Sequence, residues 1–463
     1  MFLNRSALLA HNPAQLNYGV AVLDVDNDGA FELVVAGYGY PNQVLKWTGQ
    51  NFINIADETL ADASRQAIGV GGADVDGDGR EEIYILNTDT FAGRKRFGDR
   101  LFGFFDGQWL DLFSMPRNEA VINQTAGRSV AALDRDGDGR YGFFVANYGG
   151  PMRLYELDAD GNLEDVAKEA GVALVTGGRG LFCGPIISQR MDVFAVNENG
   201  PNFLLRNMGT GRFEEVAQHL GLADPYEHGR GVTVVDLGDS FGLVYGNWEG
   251  PHRLFRFAPA RGQYLEIAPA AMRQPSRVRT VIAADFDNDG YEEIFFNNIA
   301  QPNRLFGWRQ GQAASKEKES WYTLDPGDAL EPEGLGTGAA IGDFDGDGRL
   351  ELLISHGESG RQPLTLYHTA ENGNNWLRIL PLTRAGAPAR GALVTMLAAG
   401  RTQRRIIDAG SGYLCQMEPV AHFGLGTASR IEEVMVRWPD GATTKLTAPS
   451  TCQTIRVPYP TKG

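Results

Sequence analysis

The chain has 463 residues, 43% of them hydrophobic, which excludes a disordered polymer, and no apolar run approaches the ~20 residues that a membrane-spanning helix needs. A formal net charge of −16 argues against nucleic acid or an anionic membrane as the main partner and favours cations. The 59 glycines are well above the usual ~7%, and the three cysteines (Cys183, Cys415 and Cys452) are too few for a disulfide framework, so many short strands joined by turns are expected.

The opening stretch, Met1 to Asn12, lacks the long apolar core and the small-residue cleavage site of a secretory signal. A cytoplasmic location is therefore expected, or an extracellular or periplasmic one if a leader has been removed. Gly19-Val-Ala-Val-Leu-Asp24 then reads as a buried inner strand, Glu32-Leu-Val-Val-Ala36 as a second, and Gln43 to Trp47 and Asn51 to Ala56 as a third and fourth. Between the first two lies Asp24-Val-Asp26-Asn-Asp28-Gly29. This acidic motif recurs from Asp74, Asp134, Asp285 and Asp343. A second mark, usually Asn, follows thirteen residues after the first Asp, and in several repeats Pro stands four further on. Asn197 with Pro201 and Asn247 with Pro251 reveal two degenerate copies starting at Gly184 and Asp236.

Four strands per repeat at a spacing of roughly 50 residues point to an all-β, seven-bladed β-propeller over 1–373. Met1 to Ala10 is expected to supply the outer strand of the last blade and close the ring. From Asn374 the acidic loops stop, and short apolar segments separated by Gly and Pro indicate a small second β domain over 374–463.

The loops carry acids at positions 1, 3, 5 and 9. These are Asp24, Asp26, Asp28 and Glu32; Asp74, Asp76, Asp78 and Glu82; Asp285, Asp287, Asp289 and Glu293; and Asp343, Asp345, Asp347 and Glu351. Asp134, Asp136 and Asp138 form a shorter set, with Gly142 at position 9, and should bind more weakly. Alternating acids around a Gly turn direct oxygen atoms inward, and hard oxygen ligands select Ca²⁺, with Mg²⁺ or Mn²⁺ as second choices. A plain Asp-Gly hairpin turn is the simpler explanation, but it leaves the mutual repulsion of the clustered carboxylates unanswered. The repeats from Gly184 and Asp236 are expected to hold no ion.

The residue six before the first Asp sits at the entrance to each inner strand. It reads Tyr18, Ile68, Arg128, Arg230, Arg279 and Thr337, with Arg179 one place off that register, so four consecutive repeats offer an arginine. Antiparallel pairing sets these at one level with Asn147, Asn197, Asn247 and Asn298, on the face opposite the acidic loops. His228, Trp248, Glu249 and His356 fall in the same loops. Guanidinium forks suit carboxylate, phosphate or sulfate, which makes this mouth a candidate anion site; ion pairs between blades are the competing explanation.

The loops and the Asn-to-Pro marks resemble the FG-GAP (VCBS) repeats of integrin-α-like propellers. The tail is similar to the ASPIC/UnbV domain at Asn374-Asn375-Trp376-Leu377, Gly410-Ser411-Gly412-Tyr413-Leu414, His422-Phe423-Gly424-Leu425-Gly426 and Val436-Arg437-Trp438-Pro439-Asp440-Gly441. Cys415 departs from the Ser expected there, and Arg390-Gly391-Ala392 matches only partly. Together the two regions resemble the bacterial relatives of cartilage acidic protein, which implies a calcium-binding propeller with an appended β domain.

No nucleophile elbow, zinc-binding His-Glu-x-x-His, Cys-x-x-Cys or Walker loop occurs. Ser411 reads as a turn residue, and His422 as satisfying a local hydrogen bond. The function expected is binding of an anionic small molecule, a glycan or a protein partner through the arginine-lined face. The alternative is a lyase- or cyclase-type enzyme acting in the central tunnel.

Overall fold

The first acidic repeat folds as an antiparallel meander of four strands, Asn17–Leu23, Glu32–Gly37, Gln43–Trp47 and Phe52–Asn54, hydrogen-bonded in that order. The first two strands are almost wholly buried, as their unbroken Val, Ala and Leu runs require, and exposure rises outward to Phe52–Asn54. A computed structural model describes residues 1–309 and 320–460, and no helix among them is long and apolar enough to cross a membrane.

Among the described residues, the repeat region forms five such four-stranded sheets and one of eight strands, in which Gly142–Pro151 pairs with Val175–Gly184 and fuses two meanders. The inner strands touch their neighbours in chain order, and Gly336–Gly342 packs back against Asn17–Leu23, so the ring closes as a β-propeller. Phe2–Asn4 pairs antiparallel with Thr365–Thr369 and supplies the outer strand of the last sheet. This joins the two ends of the repeat region.

Every inner strand carries a β-bulge near its start, between Asn17 and Val20, Ala67 and Gly69, Gly127 and Ser129, Gly178 and Leu181, Gly229 and Val232, Val278 and Thr280, and Gly336 and Gly338. Arg128, Arg179, Arg230 and Arg279 sit in four of them. A bulge turns its side chain off the alternation of the pleat, which is why these residues aim at the central axis.

The tail from Asn375 forms two more sheets. One orders Ala421–Gly426, Asn375–Pro381 and Thr454–Val457, the last pair parallel. The other orders Arg401–Ile406, Leu393–Ala398, Ile431–Arg437 and Thr443–Thr447. Their shared core contains Leu377, Ile379, Val394, Met396, Phe423, Val434 and Trp438.

Between Ile406 and Ala421 the tail leaves its own sheets and enters the propeller. Gly412 exchanges backbone hydrogen bonds with Val232 at 2.7 and 2.8 Å, and Gln416 does so with Val20 and Val22 at 3.0 Å. Leu414 accepts from Val70 at 3.2 Å, and the Gln416 amide clamps Gly72 in both directions. Inner strands leave unpaired backbone groups along the channel, and this plug satisfies several of them. It needs room to do so: a Cβ on Gly19 would lie 2.1 Å from the Leu414 carbonyl. Gly412 itself adopts φ +71°, a conformation that favours glycine.

Candidate metal loops and arginine mouth

The acidic loops share one hydrogen-bond plan. The position-1 Asp accepts from the position-6 Gly N–H in all five, for example Gly79 to Asp74 at 3.1 Å and Gly290 to Asp285 at 2.9 Å. The position-9 Glu accepts through Oε2 from the position-2 N–H, as in Val25 to Glu32, Val75 to Glu82, Phe286 to Glu293 and Phe344 to Glu351, at 2.8–2.9 Å. One oxygen of each carboxylate is thus fixed by the backbone. The buried Glu32 Oε1, Asp285 Oδ1 and Asp343 Oδ1 have no hydrogen-bond partner.

Ligand atoms of Asp24, Asp26 and Glu32, of Asp74, Asp76 and Asp78, of Asp285, Asp287 and Asp289, and of Asp343, Asp345 and Asp347 lie within 4.8 Å of one another in each set. Asp134, Asp136 and Asp138 make no such trio among the described residues; Arg135 faces Asp136 and binds Glu156 instead. Burial, reinforced by neighbouring acids, raises Asp24 and Asp74 to about 6, Glu32 to about 7 and Asp285 to about 8, and lifts Glu82, Glu293 and Glu351 well above the usual carboxylate range. Orphaned buried oxygens, raised acids and an all-oxygen donor set fit a hard divalent cation.

One determinant lies outside the loop, on the third strand, opposite position 9. The pairing Leu33↔Leu45 sets Lys46 across from Glu32, and its ammonium contacts Asp26, Asp28 and, at 3.5 Å, Glu32. The same register puts Gly103 opposite Glu82, Gly307 opposite Glu293 and Glu156 opposite Gly142. Sequence reading confined to the loop overlooks these residues, which only the strand pairing brings to it.

The tail docks on this acidic face. Arg390, fully buried, pairs with Glu81; Arg378 bridges Asp343 and Glu418; Arg405 meets Glu292 at 3.3 Å. Arg404 N–H donates to Asp236 Oδ2 at 2.7 Å, and Gly424 N–H donates to Asp285 Oδ2 at 2.9 Å. His422 is buried with Nε2 2.6 Å from Asn288 Oδ1, so its hydrogen bond reaches 134 residues back to the loop at Asp285 instead of being the local one expected. Ser411 is also buried, in the plug.

At the other end of the channel the four arginines surround the plug's Tyr413. Arg179 Nη1 donates to the Tyr413 hydroxyl at 3.3 Å, and both Arg179 and Arg230 bind Glu198. Arg279 pairs with Glu358 at 2.7 Å, while Arg128 donates to the carbonyls of Thr90 and Phe91. Burial would raise the Tyr413 phenol, but the guanidiniums of Arg179, Arg279, Arg128 and Arg230 outweigh it and bring the group down to about 8.

Aromatic faces complete the mouth. Phe91, 64% exposed, lies 5.6 and 5.3 Å from the Arg128 and Arg179 guanidinium carbons; Tyr148 is 4.5 Å from that of Arg179; Trp248 is 5.4 and 4.9 Å from those of Arg230 and Arg279. Strand pairing sets the asparagines beside the arginines, opposite Gly127, Gly178, Gly229 and Val278, but their side chains do not open into the mouth. Asn147, Asn197, Asn247 and Asn298 are buried, and their amides donate to the carbonyls of Pro151, Pro201, Pro251 and Pro302 at 2.6–2.7 Å. Their spacing to proline is a turn clamp. Glu249 is tied to Arg277, and His356 to Glu331 and Pro363; the His228 Nδ1 is buried without a hydrogen-bond partner.

Two regions of the chain match known families. A model of the FG-GAP-like repeat matches residues 24–85 and 285–354, and one described as ASPIC and UnbV matches residues 383–463. The chain is 50% identical over 467 residues to cartilage acidic protein 1 of Xenopus tropicalis, covering 93% of this chain and 71% of that protein. It is 50% identical over 465 residues to the Homo sapiens protein of the same name, covering 93% and 70%. Among solved structures, that of SapL1 lectin in complex with alpha methyl fucoside aligns with TM-score 0.40 and 12% identity, over 67% of this chain and 96% of that one.

Proposed function

Since the chain belongs to the cartilage acidic protein 1 family, with its FG-GAP-like propeller and ASPIC/UnbV tail, we propose that it is a calcium-stabilised binding protein that takes an acidic glycan or a similar anionic ligand at the arginine mouth. In this reading 1–373 form seven blades and 374–463 a separate β domain that caps the acidic face. Calcium in the acidic loops stiffens that face, while the opposite mouth stays available to the ligand.

The observation that carries the proposal is the charge balance at the mouth. Four inner-strand guanidiniums meet directly only two carboxylates, Glu198 and Glu358, among the described residues. Phe91, Tyr148 and Trp248 flank them with ring faces on which a sugar can stack. A guanidinium's hydrogen bonds to a sulfate or carboxylate are charge-assisted and bidentate, so such a ligand gains both strength and orientation here.

Titration calorimetry with a sulfated oligosaccharide tests this. Binding should weaken in Arg230→Ala and in Trp248→Ala, with bound calcium unchanged, because the loops lie at the other end of the ring. Equal affinity in all three proteins would move the ligand elsewhere.

A further inference from the structure

The loop opening at Asp343 differs from the others in what stands across the sheet from its position-9 acid. Where Glu82 and Glu293 face glycine and Glu32 faces lysine, Glu351 is paired directly with His368. His368 Nε2 lies 3.2 Å from Glu351 Oε1 and 3.4 Å from Asp347 Oδ2, and it has no hydrogen-bond partner. Ligand atoms of Asp345, Glu351 and His368 fall within 4.8 Å of one another, as do those of Asp343, Asp345 and Asp347.

A second observation points to an ion at the same place. Asp343 is 6% exposed and its Oδ2 accepts from Gly348 N–H at 3.0 Å and faces Arg378 Nη1 at 3.0 Å, yet its Oδ1 is left without a partner. The positive groups already present are Arg378, shared with Glu418, and Arg349 on Asp347. The carboxylates still outnumber them, so a cation is wanted, and an imidazole nitrogen stands among the oxygens that would hold it.

We infer that this loop is a mixed nitrogen–oxygen site, with His368 Nε2 a ligand beside oxygens of Asp343, Asp345, Asp347 and Glu351, and that it takes a first-row transition ion such as Mn²⁺ where the loops at Asp74 and Asp285 take Ca²⁺. The inference rests on the proposed role of the loops as metal sites. Calcium is bound by oxygen, whereas imidazole suits transition ions such as Zn²⁺ and Fe²⁺; Mn²⁺ also accepts carboxylate oxygen, so one nitrogen among several oxygens shifts the preference from Ca²⁺ toward that series. Arg378 ties this loop to the tail, so the ion would also sit under the tail's docking contact.

The test uses the full chain, stripped with chelator and loaded with Mn²⁺ in excess Ca²⁺, and reads pulsed electron paramagnetic resonance. Mn²⁺ that resists Ca²⁺ and shows coupling to a directly bonded ¹⁴N is expected. Even outer partners of metal ligands are worth about 10- to 100-fold in affinity, so His368→Gln should abolish the coupling and lower the Mn²⁺ preference at least about ten-fold. Glu82→Gln, in another loop, should leave the signal intact. Displacement of all Mn²⁺ by Ca²⁺, or Mn²⁺ held without nitrogen coupling, would overturn the inference while leaving calcium binding standing. If neither ion binds, the metal reading of the loops falls with it. Should His368→Gln fail to fold, the wild-type coupling alone decides.

Discussion

On the acidic face, buried carboxylates are gathered by backbone N–H groups and left with an unpaired oxygen; at the opposite mouth, buried guanidiniums are gathered by bulges and given a phenol from the chain's own tail. Both ends concentrate like charge, which opposes folding unless it is neutralised. The difference lies in where the neutralising group comes from. Glu32 Oε1, Asp285 Oδ1 and Asp343 Oδ1 have no hydrogen-bond partner, whereas the arginines hold Tyr413, Glu198 and Glu358. One end thus leaves acidic oxygens without a partner, while the other is partly completed from within. The loop at Asp24 is an intermediate case, since Lys46 brings an ammonium to it.

The contrast can be broken most forcefully by removing metal. A ligand at a hundred-fold its dissociation constant stabilises by about 2.7 kcal/mol per site, so stripping several loops should lower the melting temperature markedly. Scanning calorimetry with and without chelator reads this, and an unchanged melt after verified metal removal would show that the acidic face is self-sufficient. At the mouth, Arg230→Ala should cost ~1.5 to 3 kcal/mol of anion affinity, the range for a hydrogen bond to a charged group.

A further effect comes from Tyr413. Its phenol sits at about 8 in the folded protein, below the ordinary 10, so the folded state gains from its deprotonation. That stabilisation is fully present above pH 10 and is lost as pH falls through about 8. Stability relative to Tyr413→Phe should therefore rise between pH 8 and 10. A flat or falling difference would mean that the arginines do not hold the phenolate. The finest adjustment is Lys46→Gly, which gives the first loop the glycine found opposite Glu82 and Glu293. Calcium affinity there should rise by roughly ten-fold, about 1.4 kcal/mol, as a competing charge near the ion is removed. Equilibrium dialysis would detect it.

How much of this could be read from the chain follows from which features repeat. The acidic loops, the strand order and the arginines at one level are periodic, so a single sequence exposes them. The asparagine marks were legible as a pattern but not as a role, since only the fold shows their amides turned to Pro151, Pro201, Pro251 and Pro302.

Lys46 and His368 were hidden because their proximity to a loop depends on strand register. Tyr413 was hidden more deeply. It lies 234 residues from Arg179 and belongs to no repeat, so nothing in the spacing joins the two. The tail motif that carries it was visible, but not its path into the channel, which depends on clearance at residues as distant as Gly19.

The two ends can be compared in a single experiment, an anomalous difference map from crystals grown with calcium and soaked in selenate. Calcium peaks are expected inside the loops at Asp74 and Asp285, and a selenate peak within reach of Arg128, Arg179, Arg230 and Arg279. Calcium in the loops with no selenate at that mouth, even at high concentration, would contradict the claim that the arginine end receives an anionic ligand.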